Sequence, residues 1–262
     1  MTQNPAMRDK ENGTTSLSRA LGLLTAFQGI SPPLSLSELA RRAGLPKSTA
    51  FRFLTDLEDA GFVERDSQGY QLGLPLFELG SRVPVCRPNG LRDIAMHQLS
   101  ELHVTTGLNA HLAVPDGTDV VYVAKVNRGQ QTLRNHFTPG ARHAASCDAP
   151  GKAILAFSDP SVVEAVLERG LPRRTKYSIT EPRWFRRELE RIRANGVAFE
   201  QEEASLGIAA VAAPVLVDGQ PVGAVSVSQV PPIRNPDRLA AQIKAAAAAI
   251  SRDCEATTAW AW

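Results

Sequence analysis

Cysteine is scarce in this 262-residue chain, and Cys86, Cys147 and Cys254 stand far apart in the sequence. Three widely separated residues fit neither a disulfide framework nor a CxxC metal pair, so we expect reduced thiols. The sequence also lacks the run of about 18 apolar residues that a membrane span needs. Its first residues lack the apolar core of a signal peptide. These absences predict a cytoplasmic protein with no membrane association.

Excess charge of one sign is also absent, because 29 basic residues nearly balance 27 acidic ones and leave a formal charge of +2. Between Met1 and Gly80, eight basic residues stand against nine acidic ones, which gives a formal charge of −1. Neither value indicates a nucleic-acid partner by itself. Any DNA-binding site must therefore be argued from the positions of its basic side chains.

The composition, with 43% hydrophobic and 21% charged residues, is that of a folded chain. Its length suffices for two domains of ordinary size. Proline and glycine between Val83 and Gly90 make this stretch the best linker candidate. We therefore predict an N-terminal domain at residues 14–80, a linker at 81–90 and an α/β domain at 91–256.

The N-terminal segment has the pattern of a winged helix-turn-helix. Ser16 to Phe27 carries apolar residues at helical spacing. Ser35-Leu36-Ser37-Glu38 has the form of a capping box, Gly44 can end the helix that follows, and Pro46 can begin another. Two short strand-like runs then flank the turn Asp66-Ser67-Gln68-Gly69, which predicts a β-hairpin. Helix, helix, tight turn, helix and hairpin in this order predict a DNA-binding winged helix.

The third predicted helix has one apolar face and one face suited to DNA. In this motif the first turn of the third helix enters the major groove, where basic and hydroxyl side chains reach base edges or phosphates. An exposed phenylalanine there would contact a thymine methyl group or a sugar. Basic and amide groups at the end of the preceding helix and on the wing stand where they would meet the DNA backbone or minor groove. The predicted DNA-binding residues are Arg41, Arg42, Lys47, Ser48, Thr49, Phe51, Arg52, Arg65 and Gln68.

The C-terminal part alternates predicted strands and helices and includes a hairpin around Asp218-Gly219. Ser146 and Cys147 lie near His143 in the sequence, but no G-x-S-x-G elbow and no third catalytic group accompany them. The histidines His111, His136 and His143, with Cys147, lack the close spacing of a metal site. We predict neither an enzyme nor a bound metal or other cofactor.

Several stretches resemble the IclR-type transcriptional regulators. The run from Leu36 to Leu54 resembles their DNA-binding signature, and Ala149 to Ala156 is similar to their GKA loop. Gly196 to Glu203 resembles the stretch before their last hairpin, and Ala212–Val215 with Gly223–Ser228 resembles that hairpin. The likeness covers roughly residues 14–255, in the same order and spacing.

The resemblance implies an α+β protein, with an N-terminal winged helix-turn-helix and a C-terminal GAF-like α/β effector-binding domain. It also implies a homodimer or dimer of dimers on double-stranded operator DNA, and a small organic or aromatic acid as effector. Ala210 stands where many members have cysteine, and Glu200 where aspartate is common. Carried over residue by residue, the implied effector pocket contains Asp148, Ala149, Pro150, Glu200, Ala210, Ser226 and Ser228.

Some features allow two interpretations from the residues alone. Ser226 and Ser228 share one side of a strand, which faces either a ligand or solvent. Lys152 either contacts an anionic ligand or lies on the surface, and Glu202-Glu203 is interpreted as a solvated turn. For the whole chain we predict a ligand-responsive transcriptional regulator. The alternative is a small-molecule sensor whose winged helix binds protein rather than DNA.

Overall fold

The computed structural model describes residues 15–29, 33–127 and 137–257, which form two units that divide between Gly80 and Ser81. The first unit has the predicted order of two helices, a tight turn, a third helix and a hairpin, followed by one further helix. Its elements are α1 (Ser16–Thr25), α2 (Leu36–Ala43), α3 (Lys47–Asp59), β1 (Val63–Arg65), β2 (Tyr70–Leu72) and α4 (Leu74–Gly80).

Local signals set the turn between α2 and α3. The Ser35 hydroxyl accepts a hydrogen bond from the Glu38 amide at 3.2 Å and caps the start of α2. At the other end, Gly44 has a φ of 66°, in the left-handed region that glycine adopts at little cost. The Leu45 amide then donates to the Ala40 carbonyl at 2.9 Å. The chain can therefore reverse and begin α3 directly after Pro46.

The first unit has its own apolar core. Leu23 of α1, Leu39 of α2 and Leu54 of α3 are fully buried against one another. The hairpin is attached to this core through Tyr70, which exchanges two backbone hydrogen bonds of 2.9 Å with Leu34. The wing is therefore held by the same core that positions α3.

The second unit is built on one antiparallel sheet with helices on both faces. The strand order is β5-β4-β3-β8-β7-β6. Helices α5 and α9 cover one face, and α6 and α8 cover the other. The elements are α5 (Leu91–Thr106), β3 (Asn109–Asp116), β4 (Asp119–Val126), β5 (Arg142–Ala144), α6 (Ala149–Leu155), α7 (Pro160–Arg169), α8 (Pro182–Asn195), β6 (Ala198–Gln201), β7 (Ala209–Val217), β8 (Gln220–Gln229) and α9 (Pro236–Ala256).

The structure differs from the sequence prediction in two places. The edge strands β5 and β6 were not predicted, since strands of three or four residues are too short to show a period of two. The segment at residues 81–90 is not a free linker. Val85 is buried in the core under α5, and its carbonyl accepts a hydrogen bond from the Arg92 amide at 3.1 Å. An apolar side chain among the prolines was enough to fix this segment to the second unit.

Candidate functional site

Helix α3 presents one side to solvent. Ala50, Phe53 and Leu54 are buried in the core of the first unit. Lys47, Ser48, Phe51 and Arg52 are exposed on the other side, and Thr49 is half-buried. Phe51 keeps 46% of its surface exposed, which is unusual for an aromatic side chain on a polar helix face. The basic, hydroxyl and aromatic groups predicted for DNA contact therefore share one accessible surface.

The first turn of α3 is suited to a phosphate group. Pro46 occupies the N-cap position, and no side chain accepts a hydrogen bond from the free amides of this turn. Unpaired amides at a helix start attract anions, and the helix dipole adds to the effect. Lys47, the first residue of the helix, adds a positive charge at the same place.

Two predicted arginines lie over aromatic rings. The guanidinium carbon of Arg52 is 5.2 Å from the ring centroid of Phe53, and that of Arg65 is 5.3 Å from the ring centroid of Tyr70. Both arginines are exposed, and neither pairs with an acidic side chain among the described residues. Their charges are therefore available to a polyanion, while the rings restrict their conformations.

The two arginines at the end of α2 have different surroundings. Arg41 is exposed and forms a two-point pair with Glu38, with the shorter contact at 2.5 Å. The hydrogen bond from Arg41 lowers the pKa of Glu38. Arg42 instead donates to the carbonyls of Ala26 and Gln28 at the end of α1. The structure thus contradicts the placement of Arg42 toward the DNA backbone, because its guanidinium is occupied in joining two helices.

The wing carries the remaining predicted contact. The Asp66 carboxylate accepts hydrogen bonds from the amides of Gln68 at 2.7 Å and Gly69 at 3.0 Å, which fixes the hairpin turn. The Gln68 side chain is exposed at the tip. This geometry holds an amide group outward from a rigid turn.

In the second unit, strand register brings most of the residues of the implied effector pocket together. Glu200 on β6 lies opposite Ala210 on β7, and Ala210 lies opposite Ser228 on β8. Val225 and Val227 pack under α5 and α9, so Ser226 and Ser228 lie on the face covered by α6. Ser226 and Ser228 are only 2% and 4% exposed, which makes the solvent-face interpretation wrong.

Asp148 connects this face to the start of α6. Its Oδ1 caps the helix by accepting the Gly151 amide at 2.9 Å, and its Oδ2 accepts the Tyr122 hydroxyl at 2.9 Å. Nδ1 of His143 lies 3.5 Å from the same Oδ2. Burial raises the pKa of Asp148, while His143 and the two hydrogen bonds oppose that shift. Both carboxylate oxygens are therefore engaged within the protein.

Close packing at the loop before α6 requires a glycine. A Cβ atom at Gly151 would lie 2.2 Å from the Ala145 carbonyl oxygen, far inside van der Waals contact. Ala149 and Pro150 precede it in the first turn, and both are buried. The glycine of the GKA loop thus lets the helix start approach the backbone at Ala145.

Sequence reasoning missed an aromatic group beside this site. His111, Tyr122, Phe137 and His143 contact one another, with ring centroids 5.0–5.8 Å apart. Nε2 of His111 lies 3.0 Å from the Ser228 hydroxyl. Burial lowers the pKa of His111 to about 3, so this imidazole is neutral at physiological pH. The only signal in the sequence was a histidine inside an otherwise apolar strand.

Lys152 has neither of the two roles considered from the sequence. Its side chain is fully buried, and its Nζ donates to Oε1 of Glu203 at 2.6 Å and to the Phe199 carbonyl at 3.0 Å. Oε1 of Glu188 lies 3.6 Å away. The interpretation of Glu202-Glu203 as a solvated turn is wrong for Glu203, whose side chain is 12% exposed. The lysine charge is therefore neutralised inside the protein.

Glu200 is the most unusual carboxyl group of the site. It is 1% exposed, and its Oε1 accepts the Ala204 amide at 3.0 Å. Its buried Oε2 has no hydrogen-bond partner among the described residues. Burial raises the pKa of Glu200 to about 8, and the nearby Asp148 contributes to that shift.

Catalytic and metal-binding features are weak in the described part of the chain. The thiol of Cys147 is 3.6 Å from the Pro172 carbonyl, and burial raises its pKa, which disfavours a nucleophilic thiolate. Within residues 15–29, 33–127 and 137–257, no group of His, Cys, Asp and Glu could hold a metal ion. His136, considered from the sequence, lies outside the described residues. None of the described helices is both long and apolar enough to span a membrane.

Comparison with known proteins identifies both units. The family described as IclR helix-turn-helix domain matches residues 16–67, and the family described as Bacterial transcriptional regulator IclR C-terminal matches residues 85–252. The chain is 33% identical over 224 residues to the HTH-type transcriptional regulator BhcR of Paracoccus denitrificans (strain Pd 1222). This match covers 84% of the chain and 79% of that protein.

Solved structures agree with this result. The crystal structure of the Thermotoga maritima IclR is similar with a TM-score of 0.73 and 32% identity, over 92% of this chain and 98% of that one. An IclR homolog from Microbacterium hydrocarbonoxydans, complexed with 4-hydroxybenzoate, is similar with a TM-score of 0.81 and 25% identity, over 93% and 100% of the two chains. The comparisons confirm the predicted fold class and family resemblance, and the relatives are regulators rather than enzymes.

Proposed function

The chain belongs to the IclR family of bacterial transcriptional regulators, and from this premise we propose that it binds operator DNA under the control of a small organic acid. In this proposal α3 enters the major groove, and a homodimer or dimer of dimers places two such helices on a palindromic site. The effector binds on the face of the second unit covered by α6. Binding shifts the equilibrium between states that differ in DNA affinity.

The observation that carries the DNA-binding part is the exposed surface of α3. Lys47, Ser48, Phe51 and Arg52 combine charge, hydroxyl and apolar groups that together suit phosphates and base edges. A winged helix that only bound protein would gain nothing from arginines without acidic partners. This observation favours DNA over the alternative of a sensor whose winged helix binds protein.

The DNA-binding part is tested by titrating the protein with its own upstream intergenic DNA and with a scrambled fragment. Binding is measured by fluorescence anisotropy at about 50 and 200 mM salt, since phosphate neutralisation makes affinity strongly salt-dependent. We expect Arg52→Ala to weaken cognate binding by about 1–3 kcal/mol. Arg238→Ala, which removes an exposed arginine from α9, is the matched control. Equal affinity for both fragments, with no effect of Arg52→Ala, would favour the protein-binding alternative.

The observation that supports an effector site is the buried polar group on one face of the sheet. Two serine hydroxyls, a histidine, a tyrosine and two carboxyl groups are buried there, although buried polar groups cost stability unless they are paired or functional. The hydroxyl of Ser226 makes no hydrogen bond to the described residues. In one structurally similar protein of the family, 4-hydroxybenzoate is bound. An organic acid is therefore the ligand class that we propose.

The effector part is tested with a double Ser226→Ala, Ser228→Ala variant. We expect it to lose the response of DNA binding to an effector acid while ligand-free DNA affinity is unchanged. Ser100→Ala is the control, because this serine is exposed on α5 and bonds only to the Met96 carbonyl of its own helix. A double variant with a full effector response would remove both serines from the site.

A further inference from the structure

The buried Glu200 carboxyl has one oxygen to offer a ligand. Its Oε1 is held by the Ala204 amide at 3.0 Å, while its Oε2 is buried without a hydrogen-bond partner among the described residues. Glu200, Ala210 and Ser228 are neighbours across β6, β7 and β8 on the face of the proposed effector site. Since Ala210 is small, a ligand at this position would meet the carboxyl of Glu200 and the serine hydroxyls.

The surroundings supply no free positive charge to compensate an ionised Glu200. The Lys152 ammonium is already bound to Glu203 and the Phe199 carbonyl, with Glu188 nearby. Asp148 and Glu203 are acidic neighbours whose charges oppose ionisation of Glu200.

The polar rings on the same face do not add a positive charge either. Burial keeps the His111 imidazole neutral, with a pKa of about 3, and the Tyr122 hydroxyl is bound to Asp148. His143, on β5, lies beside Asp148, whose charge it balances. Burial is the largest cause that raises the pKa of Glu200 to about 8, so this group holds a proton at neutral pH.

A protonated carboxyl changes what the site can bind. It carries an O–H donor, whereas an ionised carboxylate only accepts hydrogen bonds. A hydrogen bond from O–H to a ligand carboxylate is short and strong because the acceptor is charged. The free hydroxyl of Ser226 supplies a second donor from a neighbouring strand. These donors match a carboxylate and bind it without a cation.

We propose that Glu200 binds the carboxylate of the effector as a neutral carboxylic acid, donating its proton in a hydrogen bond beside the Ser226 hydroxyl. This inference rests on the proposed effector site and specifies how that site recognises an acid. The ligand class is a small monocarboxylate. Binding requires the proton, so affinity is constant below the pKa of Glu200 and falls by about tenfold per pH unit above it.

The first experiment measures binding of pyruvate, lactate, benzoate and 4-hydroxybenzoate, with benzamide as a neutral counterpart, by isothermal titration calorimetry. For the acid that binds best, we expect the dissociation constant to rise about tenfold between pH 8 and pH 9. In Glu200→Gln the amide keeps the acceptor for Ala204 and provides an N–H donor. This variant should bind the acid within a few-fold of the wild type and lose the pH dependence.

The controls separate recognition from folding. Glu200→Ala removes the donor and should abolish acid binding, while Glu101→Gln makes the same charge change at an exposed position on α5 and should alter nothing. Tighter binding at high pH, or preference for benzamide over benzoate, would overturn the proposal. Loss of binding in Glu200→Gln with its melting temperature unchanged would also overturn it.

A second measurement tests the proton without any ligand. A group whose pKa is raised in the folded state loses stability as pH rises from the unfolded value of 4.5 to the folded value of about 8. The melting temperature of the wild type should therefore fall relative to Glu200→Gln over this range and run parallel to it above. Parallel curves throughout would overturn the proposal.

The same preparation distinguishes this inference from the proposed function. If operator binding is specific and salt-dependent but none of the acids binds, the carboxylate assignment fails and the DNA-binding regulator stands. If an acid binds with the expected pH profile but no DNA is bound, the recognition by Glu200 stands and the DNA-binding part fails.

Discussion

The buried Lys152 offers the sharpest test of how the second unit is held together. Its ammonium is fully buried and contacts Glu203 at 2.6 Å, the Phe199 carbonyl at 3.0 Å and Glu188 at 3.6 Å. Lys152→Met keeps most of the side-chain volume and removes the charge. Glu188 would keep its pair with Arg191 at 2.7 Å, but Glu203 would be left largely buried with no cation.

Removing one partner of a buried ion pair costs about 3–5 kcal/mol, because the remaining charge stays desolvated. Glu203 is 12% exposed and burial already raises its pKa, so it can take up a proton and relieve part of this cost. We therefore expect Lys152→Met to lower the free energy of unfolding by about 3 kcal/mol. Adding Glu203→Gln removes the unpaired charge, so the double variant should be about 1–2 kcal/mol more stable than Lys152→Met alone.

The measurement is urea unfolding of the full chain followed by circular dichroism, with the two units fitted as separate transitions. Lys244→Met is the control, because this lysine is exposed on α9 and contacts only the Asn195 carbonyl at 3.3 Å. Its loss should cost less than about 0.5 kcal/mol. A cost below about 1 kcal/mol for Lys152→Met, or strictly additive effects with Glu203→Gln, would refute this account of a buried, coupled pair.

Three further substitutions test single structural statements. Arg42→Ala should lower the free energy of unfolding of the first unit by about 1.5–3 kcal/mol, because two carbonyls lose a charged donor, and differential scanning calorimetry measures it. Gly151→Ala should cost about 1–3 kcal/mol or more in urea unfolding, since its Cβ would displace the Ala145 backbone. Phe51→Ala should leave the melting temperature unchanged, because the ring is 46% exposed, and should weaken operator binding by about 1 kcal/mol in anisotropy titrations. An unchanged stability in the first two, or a destabilised third, would contradict the corresponding contact.

Much of the first unit could be predicted because its signals are local. The capping box at Ser35, Gly44 after α2 and the proline before α3 act within a few residues of where they stand. The role of Arg42 could not be predicted, since its partners at the end of α1 are 14 and 16 residues away in sequence. A basic residue beside a recognition helix has the same sequence pattern whether it contacts DNA or its own fold.

The effector site of the second unit depended on distant partners. The resemblance named Asp148, Glu200 and the serines one residue at a time, but their shared face arises from pairing of strands that are far apart in the chain. The partnership of His111 with Ser228 spans 117 residues, and no periodic pattern reports it. Lys152 illustrates the same limit, because its burial depends on Glu203 and Glu188 arriving from two other elements.

By itself, the sequence determined the periodic helices, the turns with glycine and proline, the hairpins and the exposed face of α3, because propensity, capping and amphipathic spacing are properties of neighbouring residues. Only the tertiary structure decided which polar groups are buried together and which charges are already neutralised. Whether Glu200 holds a proton depends on desolvation and on the charges that other elements bring near it. Those quantities belong to the packed fold.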